Sequence, residues 1–373
     1  MSDRLTILHL THEGRGAGSS ISIALLAREQ TARGHRVLVG CPAGSYLAAR
    51  VGAAVEHVPL AFEAGDGSTR ALEELARRTR ADVVNAHSSR DRAACRRLRF
   101  AGRLPGALVM TRRGMPMSTP LSAVLSGFAA DRTIAVSRPV ARALVRRGTP
   151  PWRVVVVPNA VDLARIEGAV SEAARRRARE LLGSGGPVIG VVSRRKDHET
   201  LLRALRWVTT PVTLCLIGFE PDAALRQLWP AVSRRPSAEQ RIVWLPFQDD
   251  VRPFYDRFDV AVMPGRHEGL SQGLLEAMAL GKAVVAVRAG GNTDVVTDGV
   301  DGLLVPPRDP RALGAALQRL LESGELRRRL GGAAGQRARH GFTVERTVTG
   351  TEAVYRAAIA RRNGQARGNG GEA

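Results

Sequence analysis

Two glutamates, Glu268 and Glu276, stand with seven residues between them in the stretch Arg266-His-Glu-Gly-Leu-Ser-Gln-Gly-Leu-Leu-Glu-Ala-Met-Ala-Leu-Gly281. The apolar run Val260–Met263 and a Pro264-Gly265 turn precede them, and a helix starting near Ser271 would follow. Glu268 then sits in the loop before that helix, and Glu276 about one and a half turns inside it. Carboxylates accept two hydrogen bonds from vicinal hydroxyl pairs, which sugars and riboses both carry. The amides of Gly269, Leu270 and Ser271, unpaired at a helix start, suit a phosphate or sugar oxygen. The same residues also fit an ordinary strand, loop and amphipathic helix whose glutamates face solvent.

A second candidate lies near the amino terminus, where Leu5–Leu10 runs into Thr11-His-Glu-Gly-Arg-Gly-Ala-Gly-Ser-Ser20. Gly14, Gly16 and Gly18 permit close backbone approach to an anion at a helix start. The loop departs from the dinucleotide-binding fingerprint, because no acidic residue closes the next strand, Val37–Gly40. His9 and His12 have no third ligand at metal-binding spacing, so no metal site is expected. Cys41, Cys95 and Cys215 are far apart and have neither disulfide nor metal spacing, which points to a reducing compartment.

Short apolar runs that would place these loops alternate with amphipathic stretches. Strands are expected at Leu5–Leu10, Arg36–Gly40, Asp82–Ala86, Ala107–Thr111, Thr133–Val136 and Val154–Val157. A second series is expected at Val188–Val192, Val212–Ile217, Ile242–Leu245, Val260–Met263, Ala283–Val287 and Leu303–Val305. Helical patterns fill the intervals, among them Ser20–Arg33, Arg90–Arg103, His198–Trp207 and Ser271–Leu280. Strands alternating with helices imply α/β architecture with parallel sheets. The Gly183-Ser-Gly-Gly-Pro187 cluster reads as a boundary between two doubly wound halves. Ligands of such sheets bind outside the carboxyl ends of the strands, so two facing halves would make a cleft. The expected domains are 1–168 and 169–342, then a helix at 343–361 and a disordered tail at 362–373.

Composition narrows the options. A chain of 373 residues has room for two or three domains, and 44% hydrophobic residues exclude disorder of the whole. Aromatic residues are 4%, too few for a base-stacking platform, and no nucleic-acid partner is expected. The net charge is +21, yet Lys196 and Lys282 are the only lysines; the other 54 basic residues are arginine. Residues 1–168 hold 25 arginines against 13 acids, and the remainder is basic as well. A compositional bias towards arginine explains part of the charge. The first apolar run is too short for a signal peptide, and no run approaches a membrane span.

The Glu-x7-Glu segment, read as Glu268-Gly-Leu-Ser-Gln-Gly-Leu-Leu-Glu276-Ala-Met-Ala-Leu-Gly-Lys-Ala-Val-Val-Ala286, resembles that of the retaining glycosyltransferases of family 4. Gly290-Gly-Asn-Thr-Asp294 and Asp298-Gly-Val-Asp-Gly-Leu-Leu-Val-Pro306 resemble its GGxxE and DGxxGxLVP segments, with Asp294 in place of a glutamate. Val154-Val-Val-Val-Pro-Asn-Ala-Val-Asp162 resembles its VIPNGVD segment. The resemblance implies the GT-B fold, two Rossmann-like domains facing across a cleft. It implies an acceptor-binding first domain, a donor-binding second domain and a last helix that crosses back to the first.

The resemblance also implies roles. Glu276 would hold the nucleotide ribose, and Glu268, with Gly269, Leu270 and Ser271, the donor sugar and phosphates. In Ser193-Arg-Arg-Lys-Asp-His-Glu-Thr-Leu-Leu202, Lys196 matches the family lysine and Arg194 or Arg195 its arginine. Two cations there would stabilise the departing diphosphate in place of a metal. Gly16 and Gly18 would face the donor phosphates. Asp82-Val-Val-Asn-Ala-His-Ser-Ser-Arg-Asp91 makes His87 and Asp91 acceptor-site candidates. Arg113 stands where relatives carry a histidine; it cannot accept a proton but could hold an anionic group.

The expected function is a retaining glycosyltransferase that moves a sugar from a nucleotide-diphosphate sugar to a lipid-linked or cell-surface glycan, with no cofactor and no metal. The alternatives are a small soluble acceptor, or a non-catalytic basic binding protein. A cytoplasmic protein, peripheral on the inner face of the membrane, is expected. The anionic surface would be met by the first domain, where Arg90–Arg103 packs six arginines.

Overall fold

The computed structural model describes residues 4–14, 16, 18–62, 67–117, 119–183, 185–233 and 240–368. Two compact units divide the chain. Unit 1 is Met1–Ala160 with Val344–Ala373, and unit 2 is Val161–Thr343.

Unit 1 runs β1 (Thr6–Leu10), α1 (Gly18–Ala32), β2 (Arg36–Cys41), β3 (Glu56–Pro59), α2 (Gly67–Thr79), β4 (Val83–Ala86), α3 (Ser89–Phe100), β5 (Ala107–Arg112), α4 (Pro120–Ala129), β6 (Arg132–Ala135), α5 (Arg138–Arg146) and β7 (Val154–Val156). The seven strands form one sheet in the order β3-β2-β1-β4-β5-β6-β7, every pair parallel. Period-2 alternation supplies two apolar faces. Ile7, Val37, Val39, Val83, Val109 and Ile134 pack on one side, and Leu8, Leu10, Leu38, Val84, Leu108 and Met110 on the other. The order reverses between β1 and β4, so the loops leaving these two strands part and open a crevice.

Unit 2 repeats the plan: α6 (Leu163–Glu167), α7 (Glu172–Leu182), β8 (Val188–Val192), α8 (His198–Ala204), β9 (Val212–Ile217), α9 (Ala223–Ser233), β10 (Gln240–Leu245), α10 (Arg252–Arg257), β11 (Val260–Met263), α11 (Gln272–Ala279), β12 (Ala283–Val287), α12 (Asn292–Val295), β13 (Leu303–Val305), α13 (Pro310–Glu322) and α14 (Gly324–Gly341). Its parallel sheet has the order β10-β9-β8-β11-β12-β13 and reverses between β8 and β11. Both candidate segments of this half, Ser193–Asp197 and Pro264–Ser271, leave strands at that reversal. The last helix, α15 (Val344–Gly368), returns to unit 1, where Val354, Tyr355 and Ala358 join the core on the Ile7 face.

Two expected boundaries are corrected. Unit 1 closes at Ala160 rather than 168, because α6 belongs to unit 2. Arg252 donates to the carbonyls of Arg165 (2.7 Å) and Gly168 (2.9 Å), and Val161 N–H bonds Phe342 O, so the stretch is tied to unit 2. The tail expected at 362–373 is helical as far as Gly368; residues 369–373 lie outside the described residues. Four elements escaped the sequence reading, α6 among them at five residues. β3 is short and half-exposed, α10 is barely more than a turn, and α4 lacks a polar face.

Candidate functional site

In unit 2, Ser271 caps α11 by accepting from the Leu274 amide (3.3 Å), so Glu276 is the fifth residue of the helix. It is 3% exposed, and burial pushes its carboxyl above the ordinary range. Arg165, on α6, opposes that shift through an ion pair of 2.8 Å to Oε1, while Asp162 and Asp250 add to it. No described residue takes Oε2. Arg165 is itself set in place: Asp162 caps its helix (3.0 Å), and Arg252, paired with Asp250, grips its carbonyl. Tyr255 Oη, donating to Gly273 O (2.8 Å), fixes α11 against α10.

Glu268 is 9% exposed in the loop entering α11. Gly269, Leu270 and Ser271 are buried beside it. The loop is held by the Gly290-Gly291 turn: Gly291 N–H donates to Glu268 O (2.9 Å). Gly290 has φ +54°, and a Cβ on Gly291 would come within 1.8 Å of Gly269 O, so both glycines are required for the approach. Asn292 ties the same loop through Gly265 O (3.2 Å) and Val287 O (3.0 Å).

Lys196 Nζ lies 3.0 Å from Glu268 Oε1. The pair is an ion pair without hydrogen-bond alignment, so that buried oxygen still lacks a hydrogen-bond donor. Lys196 is positioned from behind by His198, whose Nδ1 accepts from the Lys196 amide (2.9 Å). His198 is fully buried and packed on Phe219, and burial lowers its pKa to about 4, which keeps it a neutral acceptor. Arg195 points elsewhere: Asp222 and Glu199 hold both arms of its guanidinium. Arg195 thus braces its own loop against Asp222 and Glu199.

In unit 1 the glycine-rich loop follows β1. A Cβ on Gly14 would meet Ser45 Cβ at 2.2 Å, which packs this loop on the next one. Gly16 is partly buried, Gly18 opens α1, and Arg15 and Ala17 lie outside the described residues. Asp91 has a different place from the one expected. It is fully buried as the third residue of α3, with Oδ2 accepting from Ser88 N (2.8 Å) and Oδ1 facing the amide and Nδ1 of His12 (3.4 and 3.1 Å). Its oxygens are used in capping the helix and anchoring the loop after β1.

His87, 4% exposed after β4, stacks on His9 with ring centroids 5.2 Å apart. Gln30 Oε1 lies 2.8 Å from His9 Nε2, and His9 Nδ1 lies 2.9 Å from His87 Nε2. Burial holds His9 at about 4 and His87 well below its ordinary value, so both rings are neutral. The Gln30 oxygen then selects the proton on His9 Nε2, which leaves Nδ1 to accept from His87 Nε2–H. His87 Nδ1 is left as a bare, buried lone pair with no partner. Arg113 lies close enough to both rings to lower their pKa, and donates to Asn159 Oδ1 (2.5 Å). Among the described residues no three His, Cys, Asp or Glu side chains converge as metal ligands.

Spacing singled out Glu268 and Glu276, and the resemblance Lys196; the structure places Lys196 against Glu268. Sequence reading missed Arg165, which only the fold brings to Glu276, and His198, which lies two residues from Lys196. Their one visible signal is that each adjoins, or lies close along the chain to, a residue already singled out.

Comparison with known proteins gives the same picture. The family model described as Glycosyltransferase Family 4 matches residues 16–165, and that described as Glycosyl transferases group 1 matches 186–323. A D-inositol 3-phosphate glycosyltransferase of Salinispora arenicola is 33% identical over 250 residues, 62% of this chain and 56% of that protein. The chain thus spans little more than half the length of that relative. HepE of Anabaena, solved in complex with UDP and glucose, superposes with a TM-score of 0.82 at 21% identity, over 95% of this chain and 100% of that one. WaaG, a glycosyltransferase involved in lipopolysaccharide biosynthesis, gives 0.70 at 15% identity over 93% and 98%. With one glycosyltransferase model matched in each half and its Glu-x7-Glu loop built as described, the chain belongs to the group 1, family 4 glycosyltransferases and has their GT-B fold.

Proposed function

We propose that the chain is a retaining, metal-independent glycosyltransferase that transfers a sugar from a nucleotide-diphosphate sugar to a lipid-linked or cell-surface glycan. The observation that carries this is the pairing of Lys196 with Glu268 beside the buried, Arg165-held Glu276, all at the strand reversal of unit 2. Glu276 Oε2 would accept from the ribose hydroxyls. Glu268 would accept from the sugar, with the buried turn Gly269–Ser271 alongside. Lys196 and Arg194 would stabilise the diphosphate as it leaves. The departing phosphate oxygen would accept the acceptor's proton, so the protein's contribution is positioning and charge. The UDP and glucose in the HepE complex support this donor class. The test is a thermal-shift screen of the full chain against UDP, GDP and ADP sugars. One of them is expected to raise the melting temperature in proportion to the logarithm of its concentration; no shift with any of them would refute the reading.

A surface of unit 1 supports the lipid-linked acceptor, though not the helix expected from sequence. The arginines of Arg90–Arg103 are all tied to unit 1, and Arg92, Arg96 and Arg99 are turned inward: Arg92 donates to His87 O, Arg96 to Ser122 and Ser126 and Arg99 to Asp131, while the exposed Arg90, Arg97 and Arg103 reach Phe62 O, Thr69 and Glu73. On α4, by contrast, Leu121, Leu125 and Phe128 are 68%, 38% and 56% exposed at positions i, i+4 and i+7, with Met117 exposed just before. Arg153 lies over the Phe128 ring at 5.5 Å, and Arg96 edges the same helix. An apolar strip rimmed by arginine fits an anionic bilayer surface. No helix of the described residues is long and apolar enough to cross a membrane. The full chain is expected to sediment with phosphatidylglycerol vesicles, and Leu121→Asp with Phe128→Asp to lower the bound fraction at least several-fold. Equal sedimentation of both proteins would remove the membrane part of the proposal. It would favour the second reading, a small soluble acceptor, to which the D-inositol 3-phosphate glycosyltransferase relative lends support.

A further inference from the structure

Lys196 and Glu268 hold each other, yet the proposed function gives each a different partner. Lys196 Nζ lies 3.0 Å from Glu268 Oε1, and among the described residues each is the other's one ion-pair partner. The carboxylate cannot turn away. Gly291 N–H pins its backbone through Glu268 O (2.9 Å). A Cβ on Gly265 would come within 2.6 Å of Oε1, so the carboxylate lies against the backbone of its own turn. Lys196 is anchored only at its root, where its amide donates to His198 Nδ1 (2.9 Å); a flexible four-carbon stem runs beyond. When the pair separates, the lysine moves and the glutamate stays. The cost of separation depends on what arrives, because a buried carboxylate that loses its cation is strongly destabilising. A bare nucleoside diphosphate offers phosphate oxygens to the lysine and no sugar hydroxyl to Glu268. It draws Lys196 away and sets new negative charge beside an uncompensated carboxylate. A nucleotide sugar offers phosphate oxygens to the lysine and hydroxyl donors to the carboxylate together, so both partners are replaced.

We propose that Glu268 determines which nucleotide the site keeps: through its hold on Lys196 it disfavours the bare diphosphate and admits the diphosphate that carries a sugar. Transfer takes the sugar hydroxyls from Glu268, the ion pair re-forms, and the spent diphosphate loses its lysine. The inference rests on reading the two loops of unit 2 as the donor site, and it adds to that reading a coupling between the sugar and phosphate contacts.

The test is calorimetric titration of the full chain with UDP and UDP-glucose, and with the GDP and ADP pairs, at constant ionic strength. Glu268→Gln keeps the shape of the side chain without its charge. It is expected to bind the bare diphosphate several-fold more tightly than the wild type and the sugar conjugate several-fold more weakly. The ratio of the two dissociation constants should thus change by about tenfold or more. Glu268→Ser removes the charge in a smaller side chain and is expected to act in the same direction, so a loop that rejects glutamine does not decide the outcome. The gain for the bare diphosphate should vanish in a Lys196→Ala background, where Glu268 has no lysine to withhold. Bare-diphosphate binding no tighter in either Glu268 variant than in the wild type would overturn the proposal and leave the donor reading standing. A gain of equal size in the Lys196→Ala background would also overturn it, since the carboxylate would then only repel phosphate. Failure of the wild type to bind any of these nucleotides would refute the donor reading itself, and the coupling with it.

Discussion

Glu276→Gln is expected to weaken donor binding by about 100-fold or more, with the fold intact. A hydrogen bond to an ionised group is worth about 1.5–3 kcal/mol, and a ribose diol makes two. The amide keeps the shape of the carboxylate but supplies one neutral oxygen, and it leaves Arg165 facing a dipole instead of a charge. Calorimetric titration of the donor identified by the thermal screen checks the number; wild-type affinity in Glu276→Gln would sink the assignment of this residue. Arg165→Met probes the same carboxylate from the other side. Burial, Asp162 and Asp250 all push the Glu276 carboxyl up, Arg165 alone pulls it down, and the buried phenol of Tyr255 stands nearby. Without Arg165 the carboxyl pKa rises further. A carboxylate with a raised pKa loses its charge as pH falls, so donor affinity should fall more steeply with decreasing pH in Arg165→Met than in the wild type. A parallel pH dependence in both proteins would mean that Arg165 only packs.

Lys196→Ala is expected to lower kcat by about 100- to 1,000-fold, the usual effect of removing one preorganised charge from a developing anion. The melting temperature should barely move, because Lys196 is a third exposed and its pair with Glu268 contributes at most about 1 kcal/mol to stability. Lys196→Arg should restore only part of the rate, since a planar fork replaces a point charge. The double variant with Glu268→Gln is expected to fall short of the product of the single effects, because the two side chains share one ion pair. Steady-state kinetics with the same donor decides this. A Lys196→Ala enzyme whose kcat is unchanged and whose KM alone rises would give the lysine ground-state binding and no part in the departure of the diphosphate.

The legible part of this site was local. Glu268, Ser271 and Glu276 lie on one loop and one short helix, so their spacing along the chain fixes their spacing in space. The lysine at 196 stood out because arginine fills almost every other basic position. What escaped reading depends on contacts between distant residues. Arg165 meets Glu276 across 111 positions, and Asn85 meets Tyr355 across 270. Asp91 resembled an acceptor contact in sequence, yet the capping demand of α3 and the nearness of His12 claim its oxygens. The arginines of Arg90–Arg103 are expected from sequence to meet an anionic surface, but Arg92, Arg96 and Arg99 fold back onto a carbonyl, serine hydroxyls and Asp131 of unit 1. The apolar strip on α4 was invisible as a surface because a sequence pattern cannot tell an exposed leucine from a core one.

The proposed retention of anomeric configuration requires the acceptor's proton to pass to the departing phosphate on the face that it leaves. Proton NMR of the product formed by the full chain from an α-linked nucleotide-diphosphate sugar reads this directly. An α-linked product is expected, appearing together with nucleoside diphosphate and lost in Lys196→Ala. A β-linked product, or transfer without release of nucleoside diphosphate, would contradict it.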